Sequence, residues 1–224
     1  MSARTYFTMP GTAGFAPTIL IVPHAGAGAS IVNKLSSVEP VARVVAIQLS
    51  GRETRWREDP PRTLLAAALD TAEVILDLMS SSMDLIVVGD CSGAVIGVEA
   101  LGLVGPEIAS STPMILVNRA RPLLAESTVV TIPPEFENFP DLLLRYEELI
   151  ESDSAITSGG PTTVSRDRRL VVLSAAGDEA LAEAAWGDYG KSVRSVALPS
   201  PVNFIDDFPL ILSLCLDEYR IREN

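Results

Sequence analysis

Six short runs rich in Val, Ile and Leu recur along this chain: Thr18 to Val22, Arg43 to Gln48, Leu85 to Val88, Met114 to Val117, Leu170 to Ser174 and Val193 to Leu198. Most are continuously apolar rather than alternating. A strand that is apolar on both sides has to be covered on both sides, the situation of a parallel sheet between two layers of helices. The segments between the runs fit helices: Thr63 to Met79, Ser92 to Leu103, Phe139 to Glu151, Ala180 to Trp186 and Phe208 to Arg222. In the first, Leu65, Ala68, Leu69, Ala72, Ile75 and Met79 form a stripe expected to pack on the sheet, with Asp70 and Asp77 off it. In the last, Pro209 sits in the first turn, and Leu212, Cys215, Leu216 and Tyr219 share a face that makes Cys215 a core residue. The fold class is therefore α/β, with a mostly parallel sheet and helices on both faces.

With 224 residues, 47% of them hydrophobic, the chain is expected to form one domain over 1–224 with a sizeable core. Its texture changes between 127 and 169, where three prolines, an acidic amphipathic helix and a stretch rich in Ser, Gly, Pro and Thr follow one another. This reads as a lid or cap inserted between the fourth and fifth strands, or as a surface loop. A formal charge of −12 disfavours nucleic acid and anionic membranes as partners. The two cysteines, Cys91 and Cys215, suit a reducing cytoplasm and lack the paired spacing of a zinc site, so no metal is expected. The amino-terminal residues show no charged start leading into a long apolar run, and secretion or membrane spanning is not expected.

Chemistry concentrates where Leu85-Ile-Val-Val runs into Gly89-Asp90-Cys91-Ser92-Gly93 and then a helix. A strand-to-helix turn of the form G-x-nucleophile-x-G needs small neighbours around a strained nucleophile, here Cys91. The helix N-terminus favours a thiolate at Cys91, and the adjacent Asp90 opposes it. The alternative is a buried structural cysteine. After the first run comes Pro23-His-Ala-Gly-Ala-Gly28, a small-residue loop that lets backbone N–H groups approach a developing oxyanion; Ala25 and Ser92 are the donors this pattern assigns. A phosphate loop would need the Walker lysine or the G-x-G-x-x-G spacing, and neither is present.

Together with Gln48-Leu-Ser-Gly-Arg-Glu53, Glu99 and Leu116-Val-Asn-Arg-Ala-Arg121, these motifs resemble the type II thioesterases of nonribosomal peptide and polyketide assembly lines, from about Pro17 to Tyr219. The resemblance implies an α/β-hydrolase fold with a Ser-Asp-His triad, a helical lid, no cofactor, and hydrolysis of acyl groups held as thioesters on carrier-protein phosphopantetheine. Matched position by position, the nucleophilic serine falls on Cys91 and the histidine before it on Asp90. The triad aspartate falls on Asp178 and the triad histidine on Asn203. Asn203 can orient or donate but has no useful titration. The candidate bases that remain are His24, the single histidine of the chain, and the carboxylates Asp90 and Asp178; the alternative for His24 is a residue that orders the loop or lines the pocket, and Asp90 is a pocket candidate as well.

Arg52, Arg119 and Arg121 follow strand ends, as do Arg55 and Arg57, and are candidates to meet a phosphopantetheine phosphate or an acyl or peptidyl carrier protein. The interleaved Glu53, Glu58 and Asp59 fit a solvated, salt-bridged face instead. With the base missing, the expected activity is acyl transfer or cyclisation through Cys91 rather than efficient hydrolysis. Two alternatives stand beside it: a catalytically degenerate hydrolase serving as a binding or scaffolding subunit for a carrier or partner enzyme, and non-covalent ring closure or elimination with Asp90 or Asp178 as base.

Overall fold

The computed structural model describes residues 5–35, 39, 41–81, 84–119, 122, 139–163, 168–175, 177–198 and 202–223. Among the described residues seven strands form one sheet in the order β1-β3-β2-β4-β5-β6-β7. They are β1 (Tyr6–Thr8), β2 (Thr18–Val22), β3 (Arg43–Ile47), β4 (Leu85–Asp90), β5 (Met114–Val117), β6 (Arg169–Ala175) and β7 (Ser192–Leu198). All neighbours pair in parallel except β1, which joins β3 antiparallel. The six expected strands are present, and β1 is the addition. Its three half-buried residues sit at the sheet edge, where so short a run leaves no periodicity to read.

The helices are α1 (Ile31–Lys34), α2 (Leu64–Ser81), α3 (Ser92–Leu103), α4 (Pro106–Ser111), α5 (Pro140–Thr157), α6 (Glu179–Trp186) and α7 (Phe208–Glu223), with one 3₁₀ turn at Glu53–Arg55. Two cores flank the sheet, and each strand contributes alternate residues to them. Leu20, Val22, Val45, Val87 and Leu116 pack under α2 and α3 with Trp186. Ile19, Ile21, Val44, Val88 and Ile115 pack against Phe208, Ile211 and Cys215 of α7. Such double coverage is why the strands read as unbroken apolar runs. Cys215 is fully buried, and that burial pushes its thiol well up, so it is packing material.

Of the stripe expected on α2, Ala68, Ala72, Ile75 and Met79 are buried and the two leucines are not. Leu65 and Leu69 are half exposed, while Leu64, Ala67, Ala68, Val74, Ile75 and Leu78 face the core. Both sets have helical spacing, and contact with the sheet, rather than the sequence period, selects between them. Among the described residues no helix is long and apolar enough to cross a membrane.

The strand order reverses between β2 and β4: the chain leaves β2 toward one edge for β3, then returns past it to β4. The carboxyl ends flanking such a switch point leave a crevice, the usual ligand position in open α/β sheets. Here those two ends lead directly into His24 and Cys91.

Candidate active site

At the end of β4, Cys91 turns the chain into α3 with φ 52° and ψ −111°. A residue with a β-carbon held there stores on the order of 1–3 kcal/mol, which the surroundings must sustain. They do so through the Cys91 N–H, donated to the Val117 carbonyl at 2.8 Å, and the Cys91 carbonyl, which accepts from the Ala94 N–H at 3.1 Å. The turn is pressed onto the neighbouring loop: a β-carbon at Gly93 would collide with the carbonyl oxygens of Val22 and Pro23. Val22 also pairs with Gly89 across the sheet, so His24 and Cys91 each lie two residues beyond matched strand positions.

His24 Nδ1 lies 3.0 Å from the Ala25 carbonyl oxygen. A carbonyl only accepts, so neutral His24 carries its proton on Nδ1 and keeps the Nε2 lone pair for other use. The loop around it is held from three directions. The Gly26 N–H donates to Asp153 Oδ2 at 2.8 Å, the Ala29 N–H donates to Gln48 Oε1 at 2.9 Å, and Ser30 donates its N–H and hydroxyl to Glu53. Gly26 takes φ +75°, and a β-carbon there would stand 2.7 Å from Ile150 Cγ1, so α5 rests directly on the loop.

Asp90 is buried. Burial pushes its carboxyl up, and His24, when protonated, and a 2.8 Å hydrogen bond from Asn118 Nδ2 oppose that shift. Asn118 itself adopts φ 54°, a conformation asparagine tolerates better than most residues. Ala25 and Ser92 are each 2% exposed, and the Ser92 hydroxyl has no hydrogen-bond partner among the described residues.

The structure therefore gathers Cys91, Ser92, Asp90, His24 and Ala25 at the carboxyl ends of β2 and β4. Asp178 and Asn203 follow β6 and β7 and are exposed. Asp178 precedes α6 without a side-chain cap hydrogen bond. The Asn203 side chain closes its own turn: Nδ2 donates to Asp206 Oδ2 at 2.7 Å, and Oδ1 accepts from the N–H groups of Ile205 and Asp206. Such an Asx-type turn leads the chain into α7.

Arg52 is buried and ion-paired with Asp153 of α5. Arg119 is also buried, and its guanidinium donates to the carbonyls of Pro122 and of Thr157, the last residue of α5, at 2.9 and 3.0 Å. Both cations thus spend hydrogen bonds inside the protein. Arg121 lies outside the described residues, as do 127–138. Residue-by-residue reading missed Asp153 and quoted Gln48 in a motif without giving it a role, because their partners lie 127 and 19 positions away with no local pattern linking them.

A cavity of about 860 Å³ opens beside the loop, lined among others by His24, Gly28, Lys34, Trp56, Tyr146 and Leu149. Ile205, two residues beyond Asn203, also lines it; Cys91, 7% exposed, does not. Its walls are largely apolar, with the charged side chains Lys34, Arg52, Glu53 and Arg145 among them.

No protein-family model matches the chain, and no curated protein matches it in sequence. Solved structures do match. YbtT, a type II thioesterase from the yersiniabactin NRPS/PKS biosynthetic pathway, superposes with a TM-score of 0.77 at 16% identity, over 98% of this chain and 99% of that one. RedJ, a thioesterase from the prodiginine pathway of Streptomyces coelicolor, gives 0.65 at 18% identity over 91% and 84%. BorB, a type II thioesterase from the borrelidin biosynthetic cluster, gives 0.65 at 15% over 96% and 97%. The chain has the α/β-hydrolase fold of the type II thioesterases of nonribosomal peptide and polyketide pathways.

Proposed function

We propose that this protein takes an acyl group from a carrier-bound thioester onto Cys91 and passes it to a second nucleophile, by transfer or cyclisation rather than efficient hydrolysis, in secondary-metabolite biosynthesis. The observation that carries this reading is the Cys91 backbone, kept at φ 52° and ψ −111° between β4 and α3. A strained conformation of this kind costs stability and aims a side chain out of the turn.

The step balances as follows. His24 Nε2 takes the thiol proton, Cys91 Sγ forms a bond to the thioester carbonyl carbon, and the resulting oxyanion receives the N–H groups of Ala25 and Ser92. Collapse breaks the bond between the acyl carbon and the pantetheine sulfur, and the leaving thiolate takes the proton back from the imidazolium. One thioester replaces another, so the exchange is close to isoenergetic. In the second half an amine, alcohol or thiol attacks the acyl carbon, the bond to Cys91 Sγ breaks, and the acceptor's proton passes through His24 to the departing thiolate; position 203, where the resemblance puts the triad histidine, holds Asn203, which takes up no proton. Residues 127–169 serve as the lid, with α5 over the loop, and a carrier protein is the partner. A reducing cytoplasm suits a nucleophile that must stay a thiol.

Incubation with acyl groups on a phosphopantetheine-charged carrier, followed by intact-mass measurement, is expected to show one acyl adduct on the wild type and none on Cys91→Ala. Absence of any adduct, under conditions where a thioesterase of this fold forms one, overturns the reading.

A second reading rests on a separate observation: Asp178 is exposed and the Asn203 side chain is committed to Asp206 and its own turn. On that basis the protein is a non-catalytic subunit that recruits a carrier or partner enzyme. It then retains pathway activity as Cys91→Ala, an outcome the transfer reading excludes.

A further inference from the structure

The loop after β2 and the helix above it share one peptide group. The carbonyl of Ala25 accepts from His24 Nδ1 at 3.0 Å, and the N–H of the same peptide, belonging to Gly26, donates to Asp153 Oδ2 at 2.8 Å. Asp153 is 1% exposed, sits on α5, and is ion-paired with Arg52, itself 2% exposed. A pair so fully desolvated returns little net stability, and an apolar pair of similar volume fills such a space as well or better. This pair is also incompletely satisfied: Asp153 Oδ1 and Arg52 Nε are buried without hydrogen-bond partners among the described residues. What the carboxylate supplies, and an apolar side chain cannot, is an acceptor for the Gly26 N–H. Because a peptide unit is planar, fixing its N–H fixes its C=O.

We propose that Asp153 is a positioning residue that acts on His24 through the Ala25–Gly26 peptide. With α5 seated, the peptide plane is held so that its carbonyl accepts a hydrogen bond from His24 Nδ1–H and Nε2 is left as the acceptor. When α5 lifts, the plane is free to turn, His24 loses its fixed tautomer and the loop that carries the Ala25 N–H loses its shape. Covering the substrate and completing the base and oxyanion donors thereby become one event. The catalytic consequence rests on the acyl-transfer reading given above; the mechanical coupling does not.

Because His24 is the sole histidine, imidazole nitrogen NMR at a pH where the ring is neutral reports its tautomer without overlap. Three full-length proteins are compared: wild type, Asp153→Asn, and Arg52→Met/Asp153→Leu, which removes both buried charges together. The wild type is expected to show the proton on Nδ1. Asp153→Asn, whose amide oxygen can still accept from Gly26, is expected to keep it, and the double variant to lose it and to acylate Cys91 about 100-fold more slowly. A double variant with an unchanged tautomer overturns the proposal, as does Asp153→Asn losing it to the same degree. If the double variant does not fold, the wild type is warmed below its unfolding midpoint while Gly26 amide exchange and the tautomer signal are followed together. Joint loss supports the coupling, and loss of one without the other overturns it. A wild type that is never acylated defeats the proposed function but leaves the tautomer comparison decisive for Asp153.

Discussion

At Cys91 two requirements meet in one residue: a backbone that glycine would occupy without strain, and a side chain that glycine lacks. At φ 52° and ψ −111° the chain adopts the mirror image of a common extended conformation, open to glycine and costly to residues with a β-carbon. Cys91→Gly should therefore be more stable than Cys91→Ala by about 1 kcal/mol, because only glycine relieves the strain. Urea unfolding of the two variants measures this, and equal stabilities would show that the conformation carries no stored cost. The G-D-C-S-G motif made the turn legible in the sequence, since spacing and residue size are local properties. The pairing of Asp90 with Asn118 and of Gly26 with Asp153 was not legible, because each joins residues far apart in the chain.

At the scale of elements, Glu99 of α3 ties the core to the segment that follows α5. Burial pushes its carboxyl up, but hydrogen bonds from the N–H and hydroxyl groups of both Thr162 and Thr163 outweigh it and leave the carboxyl below the ordinary glutamate range. A folded-state value lowered in this way means that the unfolded chain binds the proton more readily. The stabilisation is thus complete above the ordinary glutamate range and lost as pH falls through the lowered folded value. Glu99→Gln should destabilise the protein by about 1 kcal/mol at neutral pH, with the gap closing in acid. Urea midpoints across pH read this, and a gap that widens in acid would reverse the assignment. Strand and helix positions were readable because continuous apolar runs and helical stripes are local signals. The exposed edge of the α2 stripe was not, since Leu65 and Leu69 fit the same period as the buried residues and contact with the sheet selects between them.

At the scale of the molecule, the reversal of strand order between β2 and β4 places the site, and the charge of −12 governs how partners approach it. With an acidic carrier, long-range repulsion slows encounter and salt relieves it, as the screening length falls from about 10 Å at 0.1 M to about 3 Å at 1 M. Acylation by such a carrier should accelerate roughly threefold or more over that range, whereas a small uncharged acyl thioester should react at a rate nearly independent of salt. A carrier rate that falls with salt would mean that an attractive basic face dominates. The buried positions of Arg52 and Arg119 agree with repulsion, because both cations are consumed inside.

By itself the sequence determined the α/β class, the strands on either side of the switch point, the turn at Cys91 and the absence of histidine at position 203. Each of these is encoded in contiguous residues, through period, size or chemical identity. Tertiary structure alone decided that Asp90 meets Asn118, that Arg52 faces Asp153, and that a single peptide links α5 to His24. Those facts depend on which distant segments share space, and that is fixed by packing two cores around one sheet rather than by any local pattern.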